Sequence, residues 1–97
     1  MTEIMKIFDV HTIPNKGVVI GGTNMALNRF SRQEICALIG KQIEIHTLKS
    51  TLHANVIGIE VTSSLAGNKN IFILLPQTLN LSDIAPESMV YSGEYNG

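Results

Sequence analysis

The hydrophobic and polar positions alternate for most of the chain and change to a helical rhythm only once. Met5 to His11 has period two, with Phe8 and Val10 on one face and Asp9 and His11 on the other. This predicts a half-buried first strand. Pro14-Asn15-Lys16-Gly17 stops it: proline presets φ, asparagine tolerates a tight bend, and glycine takes positive φ. Val18-Val19-Ile20 resumes at once, so the two strands form a hairpin. Gly21-Gly22 ends the second strand or puts a bulge in it.

The helical stretch begins at Ser31-Arg32-Gln33-Glu34, a capping-box pattern just before an apolar run. Ile35, Leu38 and Ile39 then fall on one helical face, and Gly40 can end the helix in the left-handed conformation. The pattern predicts a short helix over 32–39. Strands resume afterwards. Ile43 and Ile45 alternate with Glu44 and His46. Leu52 to Val61 reads as one strand with Ile57, Ile59 and Val61 on one face and Ala54 and Val56 on the other. Gly67-Asn68 closes a polar loop, and Ile71 to Leu75 is an unbroken apolar run ended by Pro76, the pattern of a strand buried on both faces. Residues 76–88 read as loop with turn formers at Ser82-Asp83 and Pro86, Met89-Val90-Tyr91 as a last short strand, and 93–97 as a frayed tail. The count is six strands and one helix. Ile43, Ile45, Val56, Ile57, Ile59, Ile71, Ile73 and Leu74 are the expected interior.

Composition supports this. With 13 Ile, 6 Val and 7 Thr, the chain favours pleated sheet over helix. Ninety-seven residues suffice for one domain, 1–97, able to bury roughly two-thirds of its unfolded surface. Charged residues make up 15%, too few for a disordered chain. No apolar stretch approaches the about 20 residues that cross a bilayer, and no secretory leader pattern opens the chain. The single cysteine, Cys36, excludes an internal disulfide and a thiolate zinc cage. A cytoplasmic domain without membrane contact is expected. The formal charge of −1 supplies no net field toward nucleic acid or anionic lipid.

Five segments, in order, resemble domain 2 of the translational GTPases of the elongation factor Tu type. Asp9 to Val19 is similar to the family's opening hairpin, an acid-Val pair, then Pro-Gly-Arg-Gly, then paired valines. Gly40-Lys41-Gln42-Ile43-Glu44-Ile45 resembles its Gly-Asp-x-Val-x-Ile strand, and Val56-Ile57-Gly58-Ile59-Glu60-Val61 its Thr-Gly-Ile/Val-Glu-Met segment. Ala66-Gly67-Asn68 with Ile71 to Leu75 resembles Ala-Gly-Asp-Asn-Val-Gly, and Asp83-Ile84 with Met89-Val90 the closing strand. The resemblance implies an all-β, six-stranded Greek-key β-barrel, closed or nearly so, with one short inserted helix. It also implies a surface that docks an RNA end and neighbouring protein domains. The departures are specific. The stretch from Gly21 to Gly40 is longer than its counterpart and holds the helix, Lys16 replaces an arginine, and Glu87-Ser88 stands where the family has glycine. The loop after Gly67 is one residue longer or shifted. Gly17 to Gly22 has phosphate-loop glycine spacing but is followed by Thr23 and Asn24, so no nucleotide binding is expected.

Catalytic chemistry finds no support in the pattern. His46 and His53 stand seven apart with His11 on another strand, which reads as solvated or edge-strand histidines and no metal site. Cys36 sits beside the apolar stripe of the helix, as a packed residue does. No Gly-x-Ser-x-Gly elbow and no close carboxylate pair occurs. No enzyme, cofactor or metal is expected. Through the resemblance, Asp9, Lys16 and Glu60 become candidate binding residues. Arg29-Phe30-Ser31-Arg32 is the one concentrated basic feature, so Arg29, Phe30 and Arg32 join them as a stacking and phosphate-pairing candidate. The bland readings are a Glu60 that faces water at a strand end or pairs with a neighbouring base, and a solvated loop with Phe30 tucked into the interior. The reading is a non-enzymatic module docking a protein partner or a second copy of itself, with an RNA-end binder as the alternative. The insertion over 24–40 either covers a barrel end or, through Met25, Leu27, Phe30 and the helix edge, meets the partner.

Overall fold

The β-branched runs do form strands, and register between them decides which side chains face inward. The computed structural model describes residues 2–79, 84 and 87–93. In chain order these form β1 (Glu3–Ile13), β2 (Gly17–Thr23), a 3-10 turn (Met25–Leu27), α1 (Arg32–Ile39) and β3 (Gln42–His46). Then come β4 (Thr51–Asn55), β5 (Gly58–Ser63), β6 (Lys69–Leu75) and β7 (Met89–Ser92). The described strands make one antiparallel sheet in the order β4-β3-β7-β1-β2-β6-β5. The fold is therefore mostly antiparallel β with one helix. The last strand, β7, lies between β1 and β3. No helix among the described residues is long and apolar enough to cross a membrane.

The β1–β2 hairpin turns through Asn15, whose φ is +64°, and the Lys16 N–H donates to the Ile13 carbonyl at 3.0 Å. Gly17 also has positive φ, and a Cβ there would collide with the Leu75 carbonyl. Glu87, where the resembled family has glycine, holds φ +76° just before β7. Both backbone groups of Ile7 bond to that segment, to the Ser88 carbonyl at 2.9 Å and the Glu87 N–H at 2.8 Å.

Four expectations are corrected by strand register. First, β2 continues through Gly21 and Gly22 to Thr23, and the bulge lies opposite them on β1, between Ile7 and Asp9. The extra residue turns Phe8 outward, 51% exposed, while Ile7 is buried and Val10 packs on the core. Second, residues 52–61 are not one strand. The Val56 N–H donates to the Lys41 carbonyl, continuing the β3 side, and the Ile57 N–H donates to the Leu74 carbonyl, starting the β6 side. Inward positions change there from Leu52, Ala54 and Val56 to Ile59 and Val61, which leaves Ile57 55% exposed rather than interior. The strand count rises to seven for the same reason. Third, β6 buries only Ile71, Ile73 and Leu75; Phe72 and Leu74 are half-buried on the opposite face, so Leu74 is not interior. Fourth, Gly93 is not frayed, because its N–H donates to the Gln42 carbonyl at 2.8 Å. The turn formers Ser82-Asp83 and Pro86, and the tail beyond Gly93, lie outside the described residues.

The core is dominated by isoleucine: Ile4, Ile7, Ile20, Ile35, Ile39, Ile43, Ile45, Ile71 and Ile73 are buried together with Met5, Leu75 and Val90. Each such side chain contributes about 1.5–3 kcal/mol relative to exposure. The helix forms over the expected residues. Ser31 Oγ accepts from the Glu34 N–H at 3.1 Å, and Glu34 Oε1 accepts from the Ser31 N–H at 2.9 Å, a complete capping box. At the other end the Gly40 N–H donates to Cys36, with φ +74° but an extended ψ of −151° in place of the left-handed turn. Ile35 and Ile39 enter the core, Leu27 is buried before the helix, and Phe30 and Leu38 pack against it. The insertion thus contributes to the core through Leu27, Ile35 and Ile39, while Met25 and the helix edge at Arg32, Gln33 and Ala37 remain exposed.

Candidate functional site

Register across four strands assembles a surface that no single segment contains. Asp9, Gly21, Phe72 and Glu60 pair in one row across β1, β2, β6 and β5. His11, Val19, Leu74 and Gly58 make the next row. At its middle the first row has a glycine, and the Phe72 ring occupies that space: a Cβ on Gly21 would lie 2.8 Å from it. Phe8, turned outward by the bulge, meets Phe72 edge-on with ring centres 6.3 Å apart. On the other side of Phe72 the surface opens into a groove of about 270 Å³ lined by Val19, Gly58, Ile59, Glu60, Phe72 and Leu74. Gly58 keeps it open, since a Cβ there would meet only the Leu74 Cβ, at 3.9 Å. A groove of this size admits one or two side chains, well short of a drug-sized ligand.

Two of the six candidate residues, Asp9 and Glu60, share the first row at its two ends. Asp9 is within 3.3 Å of His11 Nδ1, both about half exposed. The Glu60 side chain is exposed and has no hydrogen-bond or ion-pair partner among the described residues. Arg32 comes near: its guanidinium donates to the Ile59 carbonyl at 3.3 Å, on the strand that carries Glu60. The other three are not gathered there. Lys16 is exposed at the β1–β2 turn, Arg29 is exposed before α1, and Phe30 packs on the core.

A second polar cluster is assembled by strand pairing. Glu44 on β3 lies opposite His53 on β4 and Tyr91 on β7. His46 Nε2 is 3.1 Å from Glu44 Oε1, His53 Nδ1 is 4.0 Å from Oε2, and the His46 and Tyr91 rings stack at 4.4 Å. The Glu44 side chain is only 14% exposed. The outward alternation of Glu44 and His46 was visible in the sequence, but the pairing that adds His53 and Tyr91 was not. Beside it lies a smaller hollow of about 150 Å³ lined by Gln42, Ile43, His53, Ala54, Asn55 and Gly93. Among the described residues no group of three or more His, Cys, Asp or Glu is placed to hold a metal ion. Cys36 is half-buried on α1.

The chain matches no protein-family model and no curated protein.

Proposed function

We propose that this chain is a cytoplasmic, non-enzymatic docking module built as a closed six-stranded barrel of the elongation factor Tu domain 2 type. Its partner is a protein, received on the outward face of β1, β2, β6 and β5. Closure is supported by the segment at 51–63, whose first half pairs with β3 and second half with β6. Taken as one bent strand, it joins the two ends of the sheet order into a ring of six. Closure of that kind leaves no free edge in an apolar chain.

The observation that carries the docking reading is the apolar outward face itself. Phe8 is more than half exposed and meets Phe72, and Phe72 and Leu74 line a groove beside Glu60. Aromatic and aliphatic side chains grouped with a groove mark an interaction surface. The charges beside it, Asp9 and Glu60, would repel a phosphate backbone, whereas RNA binding draws its affinity from phosphate neutralisation. That ranks a protein partner above the RNA-end alternative.

In-cell photo-crosslinking from benzoylphenylalanine at position 8 tests the reading. A discrete protein adduct, either a partner or a second copy, is expected. RNA adducts, or no adduct at all, would overturn it.

A further inference from the structure

We infer that the groove between β5 and β6 seats a partner segment carrying a basic side chain beside an aliphatic one. The cation meets Glu60, and the aliphatic group lies against Phe72, Leu74 and Val19. This rests on the docking reading above and names the chemistry of its partner.

Charge complementarity at the groove leads to this assignment. Five of its six lining residues offer no charge, and the sixth is Glu60, whose carboxylate has no partner among the described residues. A purely apolar segment settling there would strip water from that carboxylate without replacing its hydrogen bonds, which costs binding free energy. A guanidinium or ammonium removes the cost, because it brings both charge and donors. Phe72 supplies an aromatic surface next to the same carboxylate, and a cation over an aromatic ring is further favoured when water is excluded. Arg32 bonds the Ile59 carbonyl through one N–H and forms no ion pair with Glu60 among the described residues. Gly58 leaves the space for the aliphatic neighbour.

The second acid sets a spacing. Asp9 ends the same row three strands away, about 14 Å at 4.8 Å per strand. Between the two acids lie only Gly21 and Phe72, with the Phe8 ring against Phe72. The face therefore reads acid, apolar, acid. Its complement is a segment with basic residues on either side of an apolar one.

Titration of the isotope-labelled full chain with a capped Leu-Arg-Leu-Arg-Leu peptide, followed by amide shifts, tests the assignment. Shifts are expected at Val19, Gly58, Glu60, Phe72 and Leu74. Replacing Arg by Gln in the peptide, or Glu60→Gln in the protein, is expected to weaken binding about tenfold. Gly58→Leu, which fills the groove where a Cβ meets only Leu74 at 3.9 Å, is expected to abolish the shifts, with circular dichroism confirming an intact sheet. Equal binding of the Gln peptide, shifts confined to another face, or no shifts would overturn the assignment. So would the same amides responding to a ten-nucleotide single-stranded RNA and not to the peptide. A protein adduct from position 8 together with an indifferent groove would refute this chemistry alone. Absence of that adduct would refute the docking reading with it.

Discussion

At the scale of single residues, glycines show how space is used on this sheet. Gly22 is pressed against Met5 and the Lys6 carbonyl, so a Cβ has nowhere to go. Gly58 faces open groove. Gly22→Ala is expected to cost about 1–3 kcal/mol through overpacking, whereas Gly58→Val should leave stability within about 0.5 kcal/mol; urea unfolding of the two variants measures the contrast. Glu34 makes a second residue-scale case. The N–H of Ser31, and then its hydroxyl, hold the Glu34 carboxyl below its ordinary value of 4.5. A carboxyl lowered in the folded state stabilises above its unfolded value and loses that contribution as pH falls through the folded one. Glu34→Gln keeps a capping-box acceptor but cannot titrate. The stability gap between wild type and Glu34→Gln, followed by urea unfolding from pH 6 to pH 3, should therefore narrow on acidification. A gap that widens would contradict the capping account.

At the scale of elements, what was legible depended on the range of the interaction. The capping box at Ser31 and Glu34, the helix over 32–39 and the turn at Pro14 to Gly17 were all readable, because each is made by residues within one turn of one another. The alternation at Ile43 and Ile45 was readable because β3 has no bulge. Phe8 and Ile57 were misplaced because each follows a parity change set by a partner strand, Gly21-Gly22 for one and the passage from β3 to β6 for the other. The site suffered similarly. Glu60 was singled out as an oddity in an apolar strand, but its row-mates Phe72 and Gly21 come from register, and the cluster about Glu44 was invisible without it. The inserted helix belongs to the core through Ile35 and Ile39. Ile35→Ala is expected to cost about 2–5 kcal/mol by thermal or urea unfolding. A value below 0.5 kcal/mol would return the helix to the status of a detachable partner surface.

At the scale of the molecule, the proposed module combines a closed ring of strands with one apolar outward face. Closure, if present as proposed, would have a local signature. The Ile57 amide, bonded to the Leu74 carbonyl, and the Val56 amide, bonded to the Lys41 carbonyl, sit at the point where the segment changes neighbours. In a closed ring both amides should exchange with solvent only through global opening, and so track the overall unfolding free energy. Fast exchange at Ile57 with slow exchange at Val19 would indicate an open sheet. Photo-crosslinking in cells from position 8, with position 48, the fully exposed Leu48 of the β3–β4 turn, as control, tests the docking face. A discrete protein adduct from position 8 that the control position does not give is expected. RNA adducts from position 8, or the same adducts from both positions, would contradict it.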